Sequence, residues 1–474
     1  MRVLIVVAGE EQSSQPVVSL GAHLIAAAAR AVGHEVEIFD PALPAKGRQR
    51  AGRLERLLET TSFDLIGLSI HSIDSGDVVA PRPRLDEIIR LSATCRRLSA
   101  APIVIGGAAL GCAPQELCRL LQPDYAIFGE GERAFTALLD ALKTGESPAG
   151  IRGVLVVAEG TVKSASPPSR NKLADLPVLW PACLANAAAP AGNDPAWPIE
   201  TKRGCAQRCL HCAYPSVNGA SWRLRDPARV AEELALGQAA GLRTAEIVDA
   251  TFGLPADHAL ECCEAMASRL GGALPLSTMS LHPRAVTPTL VEAMEAAGFS
   301  AVGINAISGS SAILRGLRRG YVRTDLHRAS WYLRDLQAQR LWIFRLGAPG
   351  ETPGTLMETI QFIESLPPSD LVVIHHGLRV WPGTQLHRLL VTNGELSTET
   401  DLLEPTYYYS PNLTPAEAEE ILAQNRNALH GRLPATGSRG LAQAFQKTLS
   451  LCGLQPPYWR QGAGAAQIRR SLGV

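Results

Sequence analysis

Three cysteines on one short run, Thr201-Lys-Arg-Gly-Cys205-Ala-Gln-Arg-Cys209-Leu-His-Cys212, constrain this chain more than any other feature. The spacing Cys-x3-Cys-x2-Cys offers three thiolates from a single loop. A structural zinc site closes its tetrahedron with a second Cys or His pair. The other cysteines around it, Cys183 and Cys262-Cys263, form no such pair, and His211 sits inside the run. Thiolates also hold iron–sulfur clusters, and a cubane cluster has four irons to satisfy. Three protein ligands then leave one iron open to a small molecule, as a catalytic metal site requires. A zinc knuckle and three unrelated buried thiols are the plainer readings of the same residues.

Composition narrows the classes. The chain has 474 residues, 46% hydrophobic and 19% charged, with 45 basic residues balanced by 45 acidic ones. That is a globular composition with ample core, and the length suggests about three domains. Zero net charge gives no electrostatic footprint for nucleic acid or an anionic membrane. No apolar stretch reaches spanning length. Met1-Arg-Val-Leu-Ile-Val-Val leads into Gly9-Glu-Glu, which reads as a buried first strand and not a signal peptide. A reducing, cytoplasmic location is expected from these features.

Residues 1–145 alternate short apolar runs with helical stretches. Val3 to Val7, Glu35 to Asp40, Asp64 to Ile70, Pro102 to Gly107 and Tyr125 to Phe128 predict strands, and Leu20 to Val32 predicts a helix stopped by Gly33. The expected fold is α/β, a doubly wound parallel sheet whose ligands bind at the carboxyl ends of the strands. Those ends carry the candidate ligand contacts Gly9, Ser69, Ser72, Gly106, Gly107, Gly129, Glu130 and Gly131. Residues 146–197, rich in Pro, Ala and Ser, read as a linker with one strand at Val154 to Val157. Residues 198–395 alternate again in six strand–helix units, a partial (β/α)6 barrel with its site at the strand carboxyl ends. Residues 396–474 read as a small, mostly helical region, with Tyr407-Tyr-Tyr and a helix at Pro415 to Leu429.

The cysteine run resembles the signature of the radical S-adenosylmethionine enzymes. The glycine set of residues 1–145 looks like the cobalamin-binding domain that precedes many of them. One departure stands out: the Asp-x-His-x-x-Gly of methionine-synthase-type domains is absent, and Gly9-Glu-Glu-Gln-Ser-Ser-Gln15 stands in its place. No lower axial ligand for cobalt can be named. The resemblance implies a [4Fe-4S] cluster on Cys205, Cys209 and Cys212, with S-adenosylmethionine on the open iron and cobalamin in the N-terminal domain. It implies that Asp249, with Thr251 beside it, holds the methionine ammonium at the end of the second barrel strand. On the fourth strand Ile307 replaces the glutamate of relatives, leaving Asn305 or Ser308 to act at that edge. Pro349-Gly350-Glu351 looks like the turn that packs on adenine. The implied activity is methylation of an unactivated carbon of a small molecule, using methylcobalamin and a 5′-deoxyadenosyl radical. Reduction would come from a donor such as flavodoxin or ferredoxin. A non-methylating radical reaction is the enzymatic alternative, and a cobalamin- or cluster-binding sensor is the non-enzymatic one.

Overall fold

The computed structural model describes residues 1–8, 18–41, 52–74, 84–164, 167–177, 196–426 and 429. Gly9, Cys183 and the tail after Pro456 lie outside them.

Seven strands form the first sheet: β1 (Arg2–Ala8), β2 (Glu35–Phe39), β3 (Leu65–Ile70), β4 (Ile103–Gly106), β5 (Tyr125–Ile127), β6 (Val154–Ala158) and β7 (Thr161–Ser164). Their order is β2-β1-β3-β4-β5-β6-β7. In β1 every residue from Val3 to Ala8 is at most 2% exposed, because helices cover both faces. The strand's period of two divides these side chains cleanly. Leu4, Val6 and Ala8 enter one core, and Val3, Ile5 and Val7 enter the other. The strand order reverses between β1 and β3, so their carboxyl ends border the crevice where such sheets bind ligands.

One expectation is corrected here. The sheet is mixed, not wholly parallel: β6 pairs antiparallel with β5, and β7 antiparallel with β6. The run at Val154, read as a linker strand, therefore belongs to the first sheet. A hairpin can extend an edge with a short connection, where a parallel strand would need a crossover.

Past the linker come β8 (Trp197–Ile199), β9 (Lys202–Arg203), β10 (Arg223–Leu224), β11 (Ala245–Ile247), β12 (Leu276–Leu281), β13 (Phe299–Ile307), β14 (Gln339–Leu346), β15 (Leu371–His376), β16 (Leu378–Arg379) and β17 (Tyr407–Tyr408). Six of them make a parallel sheet in the order β15-β14-β13-β12-β11-β8, the partial barrel expected from the alternation. Its helices begin where the side chains say they should. Asp226 accepts a hydrogen bond from the Ala228 amide (2.9 Å) and Pro227 follows as the first helical residue. On β14, Trp342, Phe344 and Leu346 are fully buried in the core, and Trp342 and Phe344 pack on Phe362 of the helix Pro353–Glu364. Truncating a buried aromatic such as Phe344 to Ala costs about 3–5 kcal/mol.

The sixth barrel strand was expected to run on through Leu378. It stops at Gly377 (φ +74°), and β16 leaves the sheet to pair antiparallel with β17. Two of the three adjacent tyrosines are thus explained as a sheet extension. The helix expected at Pro415 to Leu429 ends earlier, as Pro415–Gln424. No described helix is long and apolar enough to cross a membrane.

Candidate functional site

The cysteine loop leaves the barrel between β9 and the helix Tyr214–Asn218. Gly204 opens it with φ +85°, and a Cβ there would meet the Ser221 carbonyl oxygen at 2.0 Å, so only glycine fits. Cys205 and Cys209 are buried and Cys212 is half-buried. Burial raises the Cys212 thiol to about 11, and the nearby Cys209 and Cys205 add to the rise. Among the described residues, no three His, Cys, Asp or Glu side chains converge as one metal ion would require. A cubane takes each thiolate on a different iron, so three neighbouring thiols that do not meet at a point fit that donor set better than a zinc knuckle.

Asp249 lies beside the loop, but its carboxylate is fully engaged. It accepts from the Thr201 amide (2.8 Å), the Thr201 hydroxyl (2.5 Å) and the Lys202 ammonium (2.7 Å). Lys202 and Asp249 side chains are 2% and 0% exposed. A buried ammonium demands a carboxylate, and this one anchors the strand that leads to Cys205. Thr251 does face the cluster loop, with its hydroxyl 3.7 Å from Cys205 Sγ.

On β13, Ile307 is held at φ +61°, an uncommon conformation for a β-branched residue, and the strand register shifts between Ile304 and Ile307. Ser308 is fully buried, with its hydroxyl 3.1 Å from that of Thr359. Asn305 stays half-buried, its amide donating to the Met279 carbonyl at 3.2 Å. Pro349 is half-buried and Gly350 exposed, whereas Glu351 points inward and is fully buried. Its Oε2 accepts from the Gly347 (2.5 Å) and Ala348 (3.0 Å) amides and so ties the turn.

Burial pushes the Glu351 carboxyl up from 4.5 to about 7, against the two amide hydrogen bonds that lower it. A folded-state value above the unfolded one means the protonated acid favours the fold. That contribution is complete below pH 4.5 and is lost as pH rises through about 7. Glu351→Gln keeps an acceptor for both amides and is expected to flatten the fall in stability across this window. Thermal unfolding at several pH values measures it; a variant with the wild-type slope would remove Glu351 as the cause.

In the first sheet, Ser69 and Ser72 are half-buried at the end of β3, with His71 exposed between them. Gly106 and Gly107 follow β4. A Cβ on Gly107 (φ +104°) would lie 2.3 Å from the Ile70 carbonyl oxygen, so this turn needs glycine to cross β3 closely. Gly131 packs against Ile25. Glu130, expected as a ligand contact, makes contacts across the domain junction in this structure. It pairs with Arg223 and Arg203 and accepts from the Asn171 amide (2.7 Å). Glu132 pairs with Arg203 at 2.7 Å, and Arg203 reaches Glu200 at 2.8 Å. Buried Arg203 and half-buried Arg223, on the strands flanking the cysteine loop, thereby meet the Gly129-Glu-Gly-Glu132 turn of the first sheet.

Two further contacts fix the same junction. Arg379 of β16 pairs with Asp74 at 2.7 Å, both side chains buried. A Cβ on Gly111 would sit 3.0 Å from the Val217 side chain, so the helix Ala108–Cys112 packs closely on Tyr214–Asn218. Tyr214 stands at this junction: it is 46% exposed, and desolvation raises its phenol to about 12, with the nearby Cys212 and Cys112 adding to the rise.

Nothing in the residue pattern points to Arg319. Its Nη1 donates to Cys209 Sγ at 3.3 Å, its Nε donates to the Tyr321 hydroxyl at 3.1 Å, and Nη2 reaches the Asn305 carbonyl at 3.4 Å.

Residues 11–139 match the B12 binding domain family, and residues 199–363 match the radical SAM superfamily. The chain joins a B12-binding domain to a radical S-adenosylmethionine domain. It is 27% identical over 301 residues to an uncharacterized methyltransferase of Pyrococcus horikoshii, covering 62% of this chain and 64% of that one. It is 23% identical over 378 residues to tryptophan 2-C-methyltransferase of Streptomyces laurentii, covering 67% and 63%. The matches thus span less than two thirds of either relative. The radical S-adenosylmethionine methyltransferase TsrM from Kitasatospora setae, solved with cobalamin and a [4Fe-4S] cluster bound, superposes with a TM-score of 0.83 at 21% identity, over 99% of this chain and 98% of that one. The cobalamin-dependent radical enzyme OxsB superposes at 0.68 with 17% identity, over 94% and 70%. At these identities the likeness establishes the fold.

Proposed function

We propose that the chain is a cobalamin-dependent radical S-adenosylmethionine enzyme that methylates an unactivated carbon of a small-molecule substrate. The observation that carries this reading is the junction of the two domains at the three-thiol loop. The Gly129-Glu-Gly-Glu132 turn of the B12-binding domain is joined to the strand leading into that loop by the Arg203–Glu132 pair, and Arg379–Asp74 ties the same two domains. When bound, the two cofactors would supply a methyl donor and a hydrogen-abstracting radical. The protein's share is placement and exclusion of water. Thr251 lies against Cys205, and Arg319 sets a positive charge against Cys209. The barrel interior receives the side chains that the strand period turns away from the packed core: Ile343 and Arg345 on β14, and Val373 and His375 on β15, all half-buried. A small polar substrate suits that mixed lining. Tryptophan is the substrate bound in one TsrM structure, and an amino acid or similarly sized biosynthetic intermediate fits the same space.

The test is anaerobic reconstitution with iron, sulfide and a corrinoid, followed by turnover of S-adenosylmethionine under reducing conditions. Corrinoid absorbance retained by the protein, with both S-adenosylhomocysteine and 5′-deoxyadenosine formed, is the expected result. Formation of 5′-deoxyadenosine alone would select a non-methylating radical reaction. Cofactor binding without any S-adenosylmethionine turnover would select a sensor.

A further inference from the structure

The segment from Leu314 to Tyr321 lies directly on the cysteine loop. The Leu210 amide donates to the Leu317 carbonyl at 3.0 Å, and a Cβ on Gly320 would meet Gln207 Oε1 at 2.9 Å. Above this contact the surface forms a depression of about 550 Å³ whose lining includes five arginines and one aspartate. The aspartate, Asp325, is occupied by Arg328 (2.7 Å) and by the Val322 amide (2.9 Å). Arg284, Arg315, Arg318 and Arg328 are exposed. Arg319 forms the inner wall and reaches Cys209 Sγ on its far side. In a chain with no net charge, the positive potential is concentrated one side chain away from a cluster thiolate.

We propose that this arginine-rich depression is the docking surface for an acidic one-electron donor protein, and the inference rests on the enzymatic reading above. Complementary charge raises the encounter rate and orients a transient partner without needing a large interface. Electron-transfer complexes are of that small, weak kind. For a flavodoxin-type donor, the flavin hydroquinone anion is oxidised to the neutral semiquinone. Its electron reduces the oxidised cluster, and no proton changes hands. Screening shortens the reach of such steering, so association must slow as salt rises.

The experiment compares the reconstituted wild-type protein with Arg284→Glu/Arg315→Glu and with the charge-conserving Arg284→Lys/Arg315→Lys. An acidic flavodoxin in its hydroquinone form is the protein probe, and reduced methyl viologen, a small cation, is the control donor. Association of flavodoxin is followed by surface plasmon resonance, and cluster reduction by stopped-flow absorbance. The charge-reversed protein should associate and be reduced about tenfold more slowly at low salt, with a flattened salt dependence. The Lys variant should stay near wild type. Cluster content and methyl-viologen-driven cleavage of S-adenosylmethionine should be equal in all three. Equal flavodoxin association in wild-type and charge-reversed proteins would overturn the docking surface. If methyl viologen drives no cleavage in the wild type, the enzymatic reading fails instead, while the association data still decide the docking.

Discussion

Replacing any one of Cys205, Cys209 or Cys212 by Ala is expected to remove most cluster iron and to abolish S-adenosylmethionine cleavage. The three thiols share one loop, with Cys205 and Cys209 buried and Cys212 half-buried. Loss of one leaves two thiolates for four irons. The neighbouring fold should persist, because the loop is tied by backbone contacts independent of sulfur. The Cys205 amide donates to the Gly219 carbonyl at 3.0 Å, and the Leu210 amide to Leu317. Cys262→Ala serves as the control, since Cys262 is fully buried in the barrel core, away from the loop. It should lower stability modestly and leave iron content near wild type. Iron and sulfide analysis with electron paramagnetic resonance of the reduced protein decides the matter. Full iron in Cys209→Ala would sink the cluster assignment.

Asp249→Ala is expected to act on the fold and the cluster together. The substitution strands the Lys202 ammonium in a site where it is 2% exposed and frees Thr201 of both its bonds. Breaking a buried pair by removing one partner costs about 3–5 kcal/mol, enough to consume much of an ordinary domain's stability. Since Lys202 is three residues from Cys205, the loop should lose order and iron uptake should fall. The double variant Asp249→Ala/Lys202→Met removes both charges and should recover much of the stability. Chemical denaturation and iron analysis on the two variants test this. A single variant with wild-type stability and iron but weakened S-adenosylmethionine affinity would restore Asp249 to the role of ligand contact.

The two roles of Asp249 mark where reading from residues alone stops. Its place at the end of a barrel strand followed from a local apolar run and a glycine-stopped helix before it. Its partners, Thr201 and Lys202, lie 48 and 47 residues away, and no periodicity reports them. The same holds for Glu130 and Arg223, 93 residues apart, and for Arg319 and Cys209, 110 apart. Arg318-Arg319-Gly320 is plain in the sequence, yet nothing in its spacing says that one guanidinium reaches a thiol while its neighbour faces solvent.

By itself, then, the sequence determined the three-thiol loop, the two alternating strand–helix series and the glycines on which their turns depend. All of these are set within a few residues by covalent spacing, by periods of two and 3.6, and by allowed backbone angles. The tertiary structure alone decided which carboxylate meets which cation, that a hairpin extends the first sheet, that Ser308 meets Thr359, and that buried ion pairs join the two domains at the cysteine loop. Those outcomes depend on burial, where an unpaired charge is costly, and burial exists only after distant segments have packed.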